Sequence, residues 1–117
     1  MNSEALTDLV VEALDDVKAK DIVRLDVRNM TVVTDYMVIA SGTSNRHVKA
    51  LVDNVAEKAK AAGRRPIGIE GEDVGEWVLL DLEDTQVHDM LPKVSEFYNL
   101  EKLWSIAPQG DATATDG

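Results

Sequence analysis

Glu76-Trp77-Val78-Leu79-Leu80-Asp81-Leu82 reads as one β-strand with two unlike faces. Side chains alternate along a strand, so Val78, Leu80 and Leu82 form an all-apolar row while Trp77, Leu79 and Asp81 share the opposite side. The apolar row calls for helices packed over it. The second face admits two arrangements. If helices cover only one side of the sheet, Trp77 and Leu79 stand exposed beside Asp81 as an aromatic anchor, an apolar neighbour and a carboxylate for a lysine or arginine. If both sides are covered, Trp77 is ordinary core. Four of the five aromatic residues (Trp77, Phe97, Tyr98 and Trp104) fall between Glu70 and Trp104. An apolar strand flanked by carboxylates and rings suggests a site for a basic partner protein.

Working outward, the turn from Gly71 to Gly75 joins this strand to a short one at Ile67 to Glu70, making a hairpin. Downstream, Glu83 and Asp84 sit where the chain turns into a fifth strand around Thr85 to Met90. Pro92 fits the first turn of a third helix, with Val94, Phe97 and Tyr98 packing inward. Near the N-terminus Ser3 is a competent helix cap, with Glu4 near the positive end of the helix. Leu6, Leu9, Val10, Ala13, Leu14 and Val17 then recur at helical spacing, and Asp8, Glu12, Asp15 and Asp16 form a solvated opposite face. Ile22 to Val27 alternates as a strand. A connector through Asn29 and Thr34 leads to Tyr36 to Ser41, a nearly continuous apolar run expected to be a central strand buried on both faces. Ser44 caps a second helix, Val48, Leu51, Val52, Val55, Ala56 and Ala59 mark its buried side, and Gly63 suits its left-handed stop. The predicted fold class is α/β, a mixed five-stranded sheet with helices. Residues 1–107 are expected to form a single domain and the polar stretch 108–117 a disordered tail.

Composition narrows the chemistry. The 117 residues carry a net charge of −10 and no cysteine, which disfavours phosphate backbones as a main ligand and leaves direct nucleic-acid contact minor. Disulfides and cysteine-based zinc sites are excluded. No run of about 18 apolar residues is present, so a membrane span is not expected, and the acidic start lacks the pattern of a secretory signal. A cytoplasmic location is the expectation. An acidic body prefers basic partners, and its charge speeds their encounter more than it sets their affinity.

Other candidate sites have plain alternatives. Gly42-Thr43-Ser44 opens a helix after a strand and could cradle a phosphate with backbone amides, but it lacks the glycines and lysine of a phosphate loop; a serine cap explains it. Asp81, Glu83 and Asp84 could suggest a two-metal carboxylate site, against an acidic hairpin end as the plain reading. His88 could act as a general base only with a nucleophile nearby; a strand histidine satisfied by a neighbouring carboxylate is the commoner case. His47 reads as surface. Phe97, Tyr98, Leu100, Leu103 and Trp104 read as a closing core cluster, with the rim of Trp104 able to extend the interface. No cofactor and no metal site is expected.

The chain resembles the ribosomal silencing factor family, also called Iojap-like, from about Leu6 to Trp104. The resemblance rests on Asp35-Tyr36 with Val38-Ile39-Ala40-Ser41-Gly42, on Ser44-Asn45-Arg46, and on Glu70-Gly71 with Gly75-Glu76-Trp77-Val78-Leu79-Leu80-Asp81. Val87-His88 and Phe97-Tyr98 with Leu100-Glu101-Lys102-Leu103-Trp104 complete it in order. It implies a nucleotidyltransferase-like fold without nucleotidyltransferase activity. It also implies binding to the conserved ribosomal protein fourteen of the large subunit, on the face that meets the small subunit, so that subunit joining and translation fall when nutrients are scarce. The chain departs from the family pattern at Asp89, where an apolar residue is usual, and near Lys93 and Ser95, where an acidic residue and an arginine are usual.

The leading expectation is therefore a non-enzymatic binding protein whose partner-binding residues are Glu70, Glu76, Trp77, Leu79, Asp81, His88, Tyr98 and Trp104. Two alternatives stand beside it. One is a divergent nucleotidyltransferase using Asp81 with Glu83 and the Gly42 turn. The other is a homodimer, formed off the ribosome through the Trp77 face.

Overall fold

The computed structural model describes residues 1–93. The elements run α1 (Ser3–Asp16), β1 (Lys20–Asp26), β2 (Tyr36–Ser41), α2 (Asn45–Ala61), β3 (Gly68–Glu70), β4 (Trp77–Asp81) and β5 (Thr85–Met90). The five strands form one sheet in the order β1-β2-β5-β4-β3. β2 and β5 are parallel, and the other neighbours are antiparallel. This is the mixed α/β sheet that the sequence predicts. The third helix expected after Pro92 falls outside the described residues, as do Phe97, Tyr98, Trp104 and the 108–117 tail.

Both helices cover the same face. Leu6, Val10, Ala13 and Leu14 of α1 and Val48, Leu51, Val52, Val55 and Ala59 of α2 form one cluster with Val38, Ala40, Val78, Leu80, Leu82 and Val87. Burying each large aliphatic side chain is worth about 1.5–3 kcal/mol, so this layer supplies most of the cohesion. A buried hydroxyl pair, Thr7 to Thr85 at 2.8 Å, ties α1 to β5 within it. All six residues of β2 are buried, as its apolar run requires. The second face of the sheet carries a smaller cluster of Val27, Met37, Ile39 and Met90, against which Val23, Leu25, Met30 and Trp77 pack.

Helix ends follow local chemistry, with one shift. Asn2, not Ser3, caps α1: its side-chain oxygen accepts from the Ala5 amide at 2.7 Å, which leaves Ser3 as the first helical residue. Ser44 caps α2 by accepting from His47 N, and Gly63 takes the left-handed conformation, φ 83°, just past its end. His47 is not a bare surface residue. Its Nδ1 accepts from the Thr43 amide at 2.9 Å and its Nε2 donates to the Val17 carbonyl at 2.7 Å, so it clasps the end of α1 to the start of α2.

Candidate functional site

Strand register assembles the site on the face away from the helices. Val23, Ile39, His88, Leu79 and Glu70 are successive Cα partners across all five strands. In the next row that shares their face, Asp81 lies between Gln86 of β5 and Gly68 of β3. β4 shows the alternation expected of it, with Val78 and Leu80 buried and Trp77, Leu79 and Asp81 half-buried. Trp77 thus satisfies neither simple arrangement offered by the sequence. It packs against the small second cluster and also lines an open cavity of about 270 Å³ with Glu70, Gly71, Leu79 and His88.

The floor of this cavity is held by one cross-strand bond. Trp77 Nε1 donates to His88 Nδ1 at 3.0 Å, with the rings tilted at 47° and their centroids 6.0 Å apart. Accepting at Nδ1 places the imidazole proton on Nε2, which has no hydrogen-bond partner among the described residues. Burial holds the imidazole pKa down at about 4, so the ring is neutral at physiological pH. Among the described residues no carboxylate partners His88, because alternation turns its neighbour Asp89 to the helix side, between Ala40 and Val78.

Asp89 is fully buried there, neither carboxylate oxygen has a partner among the described residues, and burial raises its pKa to about 8. A carboxyl group in such surroundings is held as the neutral acid.

Of the sequence-predicted residues, the structure gathers Glu70, Trp77, Leu79 and His88 around the cavity. Asp81 shares the face but is engaged locally, its Oδ1 accepting from Glu83 N at 2.8 Å. Glu76 does not line the cavity; its carboxylate lies 3.6 Å from Lys93 Nζ. Tyr98 and Trp104 lie outside the described residues. Gly71 is the lining residue that sequence reading passed over. Its φ is +85°, and a Cβ there would stand 2.2 Å from the Trp77 carbonyl oxygen, so glycine lets the β3–β4 turn close onto the anchor strand.

The enzymatic constellations do not assemble. Asp81 caps the turn, Asp84 pairs with Arg64 at 2.7 Å, and the described residues hold no group of three His, Asp or Glu side chains placed for a metal ion. The Thr43 amide of the Gly42 turn is already bonded to His47, and Gly42 is pressed against Val48, where a Cβ would meet the valine side chain at 2.8 Å. That turn is a packing corner and a capped helix start. No helix among the described residues is long and apolar enough to cross a membrane.

Comparison with known proteins identifies the family. The family model described as ribosomal silencing factor during starvation matches residues 1–116. The chain belongs to the ribosomal silencing factor family. A ribosomal silencing factor of Chromobacterium violaceum is 46% identical over 104 residues, covering 89% of this chain and 85% of its own length. One from Haemophilus influenzae is 43% identical over 101 residues, covering 86% of this chain and 99% of its own. The X-ray structure of a Chromobacterium violaceum protein superposes with a TM-score of 0.88 at 42% identity, covering 100% of this chain and 95% of that one. The named relatives are described as ribosomal silencing factors, and on the Trp77 face of this ribosomal silencing factor Trp77, Leu79 and His88 line the cavity beside Glu70.

Proposed function

We propose that this chain binds the large ribosomal subunit through the conserved ribosomal protein fourteen, and that by occupying that surface it blocks joining of the small subunit and represses translation under nutrient limitation. The observation that carries the reading is the Trp77–Leu79–His88 floor with Glu70 at its rim, open on the sheet face that the described helices leave uncovered. An aromatic ring flanked by apolar side chains suits the desolvated centre of an interface. Glu70 and the other carboxylates of a −10 chain suit the basic surface typical of ribosomal proteins.

Occlusion needs no chemistry, only tight and correctly placed binding, which fits a site without a nucleophile–base pair among the described residues. Activity then follows occupancy and reverses on dilution. The same reading places the protein in the cytoplasm, where subunits join, and treats residues 1–107 as one functional domain. Co-sedimentation with purified large subunits at physiological salt tests it. Stoichiometric binding to large but not to small subunits supports the proposal, and failure to bind large subunits defeats it.

A further inference from the structure

The register of β4 decides which backbone groups of the outer strand β3 are free. Leu82 N donates to the Thr85 carbonyl and Leu91 N to the Glu76 carbonyl. Along β4, then, Glu76, Val78, Leu80 and Leu82 turn their backbone groups toward β5. Leu79 and Asp81 turn theirs toward β3, onto their Cα partners Glu70 and Gly68. Between those two, Ile69 points its own N–H and C=O away from the sheet, where no described strand lies.

The Ile69 side chain shares a row with Leu80 and Val87, on the side that the helices cover. Helix α2 does not close over this edge, and Ile67 and Ile69 stay 65% and 40% exposed. With Ala56, Lys60, Arg65 and Pro66 they line an open groove of about 330 Å³ between α2 and β3. No carboxylate lines it, although the chain carries a net charge of −10. Neither Lys60 nor Arg65 forms an ion pair among the described residues, whereas the adjacent Arg64 is held by Asp84. Two uncommitted cations beside exposed isoleucines select the occupant. A nucleic-acid backbone would use the cations and leave the isoleucines uncovered. A second copy of this chain would bring the same cations against them.

We propose that this groove receives an extended segment of an acidic partner protein, laid along β3 as a sixth strand. Ile69 exchanges both of its backbone hydrogen bonds with one residue of that segment, the way edge strands take up peptides. Alternate side chains of the segment then face the groove. Aliphatic ones cover Ile67, Ile69 and Ala56, and a carboxylate meets Lys60 and Arg65 in charge-assisted hydrogen bonds. One backbone pair and a short apolar contact make the association weak and readily reversible. The groove lies on the opposite side of the sheet from the Trp77 floor, and the proposal does not rest on the ribosomal reading.

NMR titration of the full chain with the capped peptide Glu-Thr-Val-Thr-Val-Thr-Glu tests this docking. Its groove-facing positions are Glu, Val, Val and Glu, so either strand direction brings a carboxylate to Arg65. Saturable shifts at Ala56, Lys60, Arg65, Ile67 and Ile69 are expected, with a Kd below about 1 mM. The Ile69 amide should exchange more slowly with peptide bound. Arg65→Glu and Ile67→Asp, both at exposed side chains, should each weaken binding about tenfold or more. Replacing both peptide glutamates by lysine should abolish it. Absence of saturable binding overturns the proposal, as does equal binding of the lysine peptide or a response centred on Trp77 and His88. Groove shifts that grow with chain concentration alone, or that a single-stranded RNA oligonucleotide produces more tightly than the peptide, overturn it as well.

Discussion

Trp77 on β4 and His88 on β5 are joined diagonally across the sheet, indole Nε1 donating to imidazole Nδ1 at 3.0 Å. The bond fixes the imidazole tautomer and holds the indole against the cavity floor; under the proposed function, the anchor is positioned before any partner arrives. Preorganised side chains lose less freedom on binding. Trp77→Phe keeps a ring but removes the donor. Large-subunit affinity is expected to fall by about 1 kcal/mol, between wild type and Trp77→Ala. A Trp77→Phe variant as weak as Trp77→Ala would show that the ring itself contributes nothing.

His88 and Asp89 adjoin in the chain, face opposite sides of the sheet, and tilt the pH dependence of stability in opposite directions. The imidazole titrates near 4 in the fold against an ordinary 6.5. Between those values the unfolded chain binds the extra proton, so this group makes stability rise with pH. The Asp89 carboxyl titrates near 8 against an ordinary 3.8. There the folded chain holds the extra proton, so stability falls as pH rises. The two effects offset each other from about pH 4 to 6.5. Above that range Asp89 acts alone, and urea denaturation is expected to show a loss of about 1.4 kcal/mol per pH unit up to about pH 8. Asp89→Val should abolish that decline and stabilise the protein at pH 8 by several kcal/mol. A stability that is flat from pH 6.5 to 8 in the parent chain contradicts the assignment.

Gly71 and Gly63 separate backbone conformation from close contact. Both have positive φ, but only Gly71 has a neighbour within 4 Å of an added Cβ, the Trp77 carbonyl. Gly63→Ala is expected to cost about 1 kcal/mol from conformation alone. Gly71→Ala should cost about 2 kcal/mol or more, because backbone must also move, and should weaken large-subunit binding. Equal costs in thermal or urea denaturation would remove the case for that close approach.

The acidic rim should act mainly on the encounter. Neutralising Glu70, Glu76 and Asp81 together is expected to slow association with large subunits severalfold at low salt, with dissociation changed less. Stopped-flow association at increasing ionic strength measures this. Rates that respond neither to the substitutions nor to salt rule out the electrostatic contribution.

Most of the architecture was legible in the chain. Continuous apolarity at Tyr36–Ser41 means burial on both faces, and the alternation in β4 sorts its residues between helix layer and site. Ser44 and Gly63 bracket α2 through short-range chemistry, which sequence carries well. The contacts that escaped prediction depend on register or on distant segments. His47 reaches a carbonyl thirty positions away, and the Trp77–His88 bond exists only because Leu79 pairs with His88. At α1, Asn2 and Ser3 are adjacent and equally able to cap, so local preference could not choose between them. Gly71 passed as a turn residue because a clash with Trp77 is visible only once β3 lies against β4.

The central claim is occlusion of the small subunit by the Trp77 face, and sucrose-gradient measurement of subunit joining tests it most directly. Large subunits are preincubated with increasing amounts of the parent chain or of a folded Trp77→Ala variant, and small subunits are then added. The parent chain is expected to abolish joining near one molecule per large subunit and to release the block on dilution. Trp77→Ala should need at least about thirtyfold more protein, the equivalent of about 2 kcal/mol. Silencing at substoichiometric amounts, silencing that persists after the protein is removed, or full potency in the folded Trp77→Ala variant would contradict the account.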